Sequence, residues 1–414
     1  MERYILVFLF LIYGSFSSPT PDIIGWAEIT CALCLIFLSH TSIKQITTKG
    51  PTQTQRPYLH FIAYALLGGL IMMAVNPVPA INNWHSIIVK DMIATLFLAL
   101  PLFIKTQNHD DNGFAQCFLY GCLFVGTAFS LRFLSGLWGG DHIALSAVLE
   151  AALYQNHTLN ADQLYLANSP LVIFTALYSL FAIILNLRQK TPKLSVILLY
   201  SLSLILSTAA IGLMLQRLTA LMLLILFIGL LIWLAQKRPL RAALISAIGI
   251  GFIALYTPVL NGLIQPFIEK TWRSGYNMRA EEWQAVLSTL STNPLTALFG
   301  LGLGGSFDAP TVGGMNVGYT HSLLSALLLK FGLCGLALFI VVIIGITRQQ
   351  QARLRPSLAP NISLFSIVLW MVFLIGCFFY ANYKSFGFGC IIWMLANTTQ
   401  MTHKHRDEHE KPVT

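Results

Sequence analysis

Three side chains of this 414-residue sequence have the types and positions expected of a reactive site: His321, Arg217 and Arg279. A histidine with its ordinary pKa of about 6.5 can accept a proton near neutral pH. An arginine stays charged and can bind two phosphate oxygens in parallel. Together they suit a reaction in which a hydroxyl loses its proton while a pyrophosphate departs. Taken alone, a histidine in this position is more often a structural hydrogen-bonding residue.

His321 stands where a long polar segment ends and an apolar run begins. On a helix that starts near it, four residues would share its face within about 40° at 100° per residue. They are Ser325, Leu328, Gly332 and Gly335. The small members would let a neighbouring helix pack closely. Lys330 would lie opposite, so we expect it to reach the membrane surface or to pair with a carboxylate.

Arg217 interrupts the apolar stretch from Leu194 to Ala235, which is too long for one membrane helix and suits two. The polar break consists of Gln216, Arg217 and Thr219 and predicts a tight turn between two helices. The alternative role is an interfacial arginine that extends its side chain to water. An arginine beside a membrane usually has an anionic partner, which favours substrate binding.

Arg279 lies close before the apolar residues of a predicted amphipathic helix, which is ended by Asn293-Pro294. The apolar residues at i, i+3, i+4 and i+7 are Trp283, Val286, Leu287 and Leu290. Arg279 falls within about 40° of Trp283 and Val286 on a helical projection, whereas Glu281 points well away. Arg279 should therefore face the protein body. Its anion there would be either a structural carboxylate or a substrate phosphate.

Lys270, Arg273 and Ser322 are weaker candidates near these residues. The run FGLGLGG at 299–305 has the glycines of a nucleotide loop, but no strand–loop–helix unit is predicted around it. We expect it to form a compact turn near the site. No Cys, His or carboxylate set has metal-ligand spacing, so we predict neither a metal nor a cofactor.

Composition indicates the scaffold that must position these residues. The chain is 56% hydrophobic and 10% charged, with a mean hydropathy of +0.70; a soluble domain carries about 25% charged residues. Apolar runs long enough to cross a bilayer recur throughout. We predict an all-α polytopic membrane protein with about twelve transmembrane helices. They lie near 4–19, 23–43, 57–75, 86–104, 114–134, 169–187, 194–214, 218–235, 242–257, 320–346, 361–382 and 385–401.

The charge distribution predicts the topology. Most of the 25 Lys and Arg residues fall in alternate connections and at both termini, which places both termini in the cytoplasm. This rule also explains the formal charge of +9 without nucleic acid. The predicted organisation is transmembrane helices 1–9 in 1–257, a large loop outside the cytoplasm in 258–319, helices 10–12 in 320–402 and a cytoplasmic tail in 403–414. The predicted site would lie on the outer face of the membrane.

The pattern His321-Ser322-x9-Gly332-x2-Gly335 resembles the motif of the O-antigen ligases of lipopolysaccharide assembly. They share a superfamily with O-antigen polymerases and protein O-oligosaccharyltransferases. The predicted spans, the large outer loop before the tenth, and the positions of Arg217 and Arg279 extend the resemblance along most of the chain. One difference is that Gln216 and Leu218 flank Arg217, where the family often has Ser and Gly.

The resemblance implies a GT-C-like glycosyltransferase that needs neither metal nor nucleotide. It would transfer polysaccharide from undecaprenyl pyrophosphate to lipid A–core oligosaccharide, with inversion at the anomeric carbon. The resemblance also implies a bacterial inner membrane, with the large loop and the site on its periplasmic face. His321 would deprotonate or orient the acceptor hydroxyl, and Arg217 and Arg279 would hold the pyrophosphate. The implied partners are the lipid-linked donor, the lipid A–core acceptor, membrane lipids and candidate O-antigen assembly proteins.

Two kinds of alternative remain. A polymerase or a protein-glycosylating enzyme would use the same groups with a different acceptor. A polysaccharide flippase or secondary transporter would place ionisable residues near the bilayer midplane. The residues to consider there are Glu28, Asp91 and Lys330, and each lies toward an end of its predicted span. The polar residues gather at one face instead, which favours an enzyme.

Overall fold

The structure is a computed structural model, and the described part of the chain is almost entirely helical. It comprises residues 2–17, 20–52, 55–76, 84–104, 112–139, 165–255, 264–266, 268–269, 272, 278–353 and 360–402. The helices are α1 (Glu2–Phe16), α2 (Trp26–Lys49), α3 (Arg56–Ala63), α4 (Gly69–Val75), α5 (Trp84–Leu98), α6 (Leu100–Phe103), α7 (Asn112–Gly139), α8 (Pro170–Arg188), α9 (Leu194–Leu213), α10 (Arg217–Ala235), α11 (Pro239–Leu255), α12 (Arg279–Ser291), α13 (Pro294–Phe299), α14 (Leu323–Arg353), α15 (Pro360–Phe378) and α16 (Phe386–Thr402). A π-helical turn (Tyr64–Gly68) joins α3 to α4.

Six helical segments of the described chain are long and apolar enough to cross a membrane. They are Arg56–Val75, Gly113–Gly136, Pro170–Arg188, Leu194–Leu213, Arg217–Ala235 and Leu323–Gln351. A bent pair, Trp26–His40 with Ser42–Thr48, makes a seventh if it is one span. The chain is therefore an all-α, multi-pass membrane protein, as predicted. Every predicted apolar segment overlaps a helix, whereas twelve spans remain a prediction.

The chain divides into two compact units, Met1–Val125 with Met278–Thr414, and Gly126–Asn277. The second unit contains the turn predicted at Arg217. Helix α9 ends at Leu213 and α10 begins at Arg217, and Leu215 between them has a φ of 50°. The Gln216 side chain donates hydrogen bonds to the Ala167 carbonyl oxygen at 3.0 Å and to Asn168 Oδ1 at 2.9 Å. These bonds attach the turn to the segment that precedes α8.

In the first unit, α14 breaks at Gly332 instead of continuing as a regular helix. Gly332 has a φ of 62°, and a Cβ there would lie 2.3 Å from the Leu298 carbonyl oxygen. The carbonyls of Leu329 and Lys330, left without helical donors, accept hydrogen bonds from Leu301 N–H at 2.8 Å and Gly302 N–H at 2.9 Å. The predicted stripe from His321 to Gly335 is therefore wrong, because a helical projection does not extend across a break.

A two-stranded hairpin covers α12 and leads to His321. Strand β1 (Phe307–Ala309) pairs antiparallel with β2 (Met315–Val317), and a 3₁₀ turn (Pro310–Val312) lies between them. The shared core consists of Val286, Leu290, Phe307, Ala309, Leu328 and Leu329. The amphipathic helix is thus confirmed. Leu287, which the helical period placed on the apolar face, is exposed instead. That prediction is wrong, because only one side of α12 contacts this core.

Candidate active site around His321

His321 lies between β2 and α14 and is held by Glu282 of α12 through two hydrogen bonds. The His321 backbone N–H donates to Glu282 Oε1 at 2.7 Å, and the imidazole Nδ1 lies 2.7 Å from Glu282 Oε2. The Glu282 side chain is 1% exposed and the His321 side chain 22%. One carboxylate therefore fixes both the backbone and the ring, and leaves part of the ring open to solvent.

Arg279 lies one helical turn before Glu282 and shares the same carboxylate. Its Nη1 is 3.7 Å from Glu282 Oε2, and its side chain is 20% exposed. That distance gives an ion pair but is too long for a hydrogen bond. No residue in the described ranges accepts a hydrogen bond from this guanidinium. Arg279 is thus a partly buried cation whose donors can bind an anionic ligand.

Glu282 Oε2 also accepts a hydrogen bond from the Thr311 hydroxyl at 3.1 Å. Thr311 belongs to the 3₁₀ turn of the hairpin. The carboxylate therefore receives contacts from its own helix, from the hairpin and from the segment that carries His321. Since these three elements share one core, their packing brings the acid close to the histidine.

The ionisation of this group follows from burial and from its neighbours. Burial disfavours the Glu282 carboxylate, but the His321 hydrogen bonds and the Arg279 charge outweigh it, so the pKa of Glu282 lies below its usual value. Burial lowers the pKa of His321, the Arg279 charge lowers it further, and Glu282 only partly opposes them. At neutral pH the pair is thus an ionised carboxylate and a neutral imidazole. Burial also lowers the pKa of Arg279, against the opposing effect of Glu282.

The tautomer of His321 follows from its partner. An ionised carboxylate can only accept hydrogen bonds, so Nδ1 carries the hydrogen and Nε2 has the free electron pair. The described residues supply a partner for Nδ1 and none for Nε2. The Tyr319 ring meets the imidazole edge-on, with centroids 5.6 Å apart. His321 is thus oriented as a general base is, with its basic nitrogen available.

Of the other predicted residues, Ser322 has a structural contact, Arg217 belongs to the second compact unit, and two lie outside the described residues. The Ser322 hydroxyl donates to the Cys377 carbonyl oxygen at 2.9 Å and is buried, so it anchors α14 to α15. Arg217 is the first residue of α10 and belongs to the second compact unit, so its role stays a prediction. Lys270 and Arg273 lie outside the described residues.

The glycine run at 299–305 contacts the break in α14 rather than His321. Gly300, Gly302 and Gly304 have φ values of 79°, 86° and 74°. A Cβ at Gly300 or Gly302 would lie 2.4 Å from backbone atoms of Lys330 or Met73. A compact turn was predicted, and its glycines permit this close approach of backbones. Among the described residues, no group of three or more His, Cys, Asp or Glu could hold a metal ion.

Glu282 is the functional residue that sequence reasoning missed. It lies within about 40° of Val286 on the same helical projection that placed Arg279, and three residues after that arginine. An acidic residue on the buried side of an amphipathic helix is costly unless it is paired. That combination could have identified it.

Comparisons with protein-family models and with curated protein sequences find no match to this chain.

Proposed function

We propose that this protein is a membrane glycosyltransferase that uses a glycan donor linked to a lipid pyrophosphate, and specifically an O-antigen ligase. The observation that carries the proposal is the Glu282–His321 pair beside Arg279, at the start of a membrane-spanning helix. An oriented base and a cation with unused donors are the two groups that such a transfer needs. The O-antigen ligase family is proposed from the resemblance of the sequence motif that begins at His321.

In the proposed reaction, His321 Nε2 accepts the proton of the acceptor hydroxyl. The acceptor oxygen forms a bond to the anomeric carbon of the donor glycan, and the bond from that carbon to the pyrophosphate breaks. Glu282 accepts the Nδ1 hydrogen throughout and stabilises the imidazolium that forms. The anomeric configuration inverts because attack and departure take place on opposite faces of the sugar.

Arg279 has the complementary role of holding the departing group. Charge develops on the pyrophosphate as it leaves, and a guanidinium whose donors are unused can bind two of its oxygens. Undecaprenyl pyrophosphate would leave with that charge neutralised. Arg217 would be the second cation on the same group. Lys270 and Arg273 would add positive charge in the outer loop.

The proposed setting is a bacterial inner membrane, with about twelve spans in a GT-C-like arrangement and the reaction on the periplasmic side. The acceptor would be the outer core of lipid A–core oligosaccharide. The apolar helices support insertion in a membrane. A polymerase or a protein-glycosylating enzyme would use the same base and cation with another acceptor, so the choice of acceptor decides among the three.

The test is transfer in vitro with purified full-length protein, lipid-linked polysaccharide and EDTA. Three acceptors are compared: rough lipopolysaccharide, a pilin and a second lipid-linked glycan. Product on rough lipopolysaccharide is expected, with a loss of about 10²–10⁴-fold in the His321→Ala variant. Arg279→Lys should be slower than wild type, because Lys cannot reproduce two parallel phosphate bonds.

Unchanged transfer by His321→Ala would refute the catalytic role. Wild-type activity in Arg279→Lys would assign that arginine to structure rather than to phosphate binding. Product on the pilin or on the second glycan alone would replace the ligase with another member of the superfamily. If the wild-type protein makes no product on any of the three, the proposed activity itself is wrong.

A further inference from the structure

A second group of buried charges joins α5, α14 and the 3₁₀ turn before α16, in the same compact unit as His321. Asp91 of α5 lies 2.7 Å from Lys330 Nζ through Oδ2 and 2.9 Å from Lys384 Nζ through Oδ1. All three side chains are buried. Asp22 lies 3.1 Å from Lys384 Nζ and completes a set of two carboxylates and two ammonium groups. The proposed chemistry uses none of them.

These side chains also bind backbone groups of the segment from Gly304 to Gly318, which precedes His321. Gly304 N–H donates to Asp91 Oδ2 at 2.9 Å, and Lys330 Nζ donates to the Gly305 carbonyl oxygen at 2.6 Å. At the other end, Lys384 Nζ donates to the Gly318 carbonyl oxygen at 2.9 Å. Gly318 N–H donates to Asp22 Oδ2 at 3.1 Å. One charge network therefore anchors both ends of the hairpin segment.

The short stretch from Gly318 to His321 is held at successive positions. Gly318 is bound by Asp22 and Lys384, Thr320 N–H donates to the Tyr383 hydroxyl at 3.1 Å, and His321 N–H donates to Glu282. Tyr383 and Lys384 are neighbours in one 3₁₀ turn, Ala381–Lys384. That turn thus contacts the stretch at two points within three residues of the imidazole.

Stability alone does not explain such a network. Well-packed apolar residues of the same volume often stabilise a protein as well as a buried ion pair does. Apolar side chains cannot, however, bind a particular carbonyl and a particular N–H of another segment. The network therefore contributes directional bonds to the backbone just before the base, which is what sets the position of an active-site side chain.

We propose that Lys384 is a positioning residue, which together with Asp22 fixes the Gly318–His321 backbone so that the imidazole meets Glu282. This inference rests on the proposed function, because it assigns Lys384 to the same reaction. Lys384 does not touch the substrate. Its removal acts through displacement of His321, and misplacement by about 1 Å can lower a rate about 10²-fold.

The experiment uses the purified full-length protein and two variants, Lys384→Met and Asp22→Ala. The first readout is the pH dependence of carbethoxylation of His321, followed by peptide mass spectrometry, because the reagent attacks neutral imidazole. It needs neither donor nor acceptor. The second readout is the transfer rate at saturating and at limiting donor. Asp22 is partly exposed, so Asp22→Ala also tests the proposal if Lys384→Met fails to fold.

The matched control is the double variant Glu28→Gln/Lys90→Met. It removes another buried ion pair of the same unit, with Lys90 Nζ 2.5 Å from Glu28 Oε2. Neither residue has a hydrogen bond to Gly318–Ser322 among the described contacts. A purely structural role of Lys384 predicts the same behaviour in the control.

In Lys384→Met and Asp22→Ala we expect faster carbethoxylation of His321, with a midpoint nearer the ordinary value of about 6.5, because the ring gains solvent. The rate at saturating donor should fall about 10- to 100-fold, with a smaller change in KM. Reactivity and rates equal to those of the control would overturn the proposal. A shift of the midpoint without any wild-type transfer would refute the proposed function and uphold the positioning role.

Discussion

Glu282 and Asp91 are two buried carboxylates of one compact unit that differ in their surroundings. Asp91 contacts Lys330 and Lys384, whose side chains are as buried as its own. Glu282 contacts His321 and Arg279, which are both partly exposed. In the first cluster Asp91 and both lysines are buried, and Asp22 is the partly exposed member. In the second, a buried acid contacts two side chains that are each about one-fifth exposed.

This difference separates a structural use of charge from a chemical one. Ion pairs between buried side chains resist rearrangement, since removing one member leaves the others buried and uncompensated. A carboxylate that serves partly exposed partners instead sets their ionisation and direction while they remain able to meet a ligand. Within this unit, we therefore propose the Glu282 cluster for catalysis and the Asp91 cluster for anchoring.

The largest effect that separates the two clusters should come from Glu282→Gln. The amide can donate to Nδ1 and so move the hydrogen to Nε2, which removes the base and should lower transfer about 10²–10⁴-fold. The free energy of unfolding should change less, by about 1–3 kcal/mol. Transfer assays and thermal unfolding measure the two quantities. Glu281→Gln, at the exposed neighbouring position, is the control and should match wild type in both.

Asp91→Ala should have the opposite balance. It leaves Lys330 and Lys384 without their shared carboxylate, and loss of one partner of a buried pair costs about 3–5 kcal/mol. Thermal unfolding in detergent measures this loss, with Asp308→Ala as the control at an exposed aspartate. An unfolding temperature equal to that of the control would show that the ion pairs of Asp91 do not stabilise the fold. The contrast with Glu282 would then be lost.

The smallest effect is a dependence on pH that only the Glu282 cluster should show. The pKa of His321 is lowered mainly by burial, so transfer should rise with pH through a midpoint below about 6.5 and then level off. Both Glu282 and His321 have lowered pKa values in the folded state. Their contributions to stability are therefore complete above the unfolded values and decrease as pH falls below about 6.5 for His321 and about 4.3 for Glu282.

The measurement is the unfolding temperature from pH 7 to pH 4, for wild type and for His321→Gln. The decrease near pH 6 should be smaller in the variant, which lacks the titrating imidazole. Identical profiles would mean that the surroundings of His321 do not lower its pKa. A transfer midpoint above the ordinary histidine value would contradict the assignment of the base.

Much of the scaffold could be predicted from the sequence because apolar run length is a local property. Each predicted segment overlaps a helix, and the turn at Arg217 and the amphipathic helix that ends before Asn293 both occur where expected. The site was only partly predictable. A helical projection placed Arg279 toward the protein body, and it puts Glu282 on the same side. Glu282 was not recognised, because its partner His321 lies 39 residues away in the chain.

Other features depend on contacts between distant segments. The break at Gly332 depends on the backbone of Leu298 and Gly300, which occupies the space that a side chain would need. Because of that break, the phase of α14 beyond Lys330 could not be projected from His321. The pairing of Asp91 with Lys330 and Lys384 likewise joins residues more than 200 positions apart.

The sequence by itself thus determined a multi-pass helical protein and named His321 and Arg279 as candidates, because hydropathy and helical period are read from neighbouring residues. Only the tertiary structure decided that His321 is oriented by Glu282, and that a buried charge network binds the backbone just before it. Hydrogen bonds and ion pairs between distant segments depend on distances of a few ångströms, and those distances are set only when the whole chain packs.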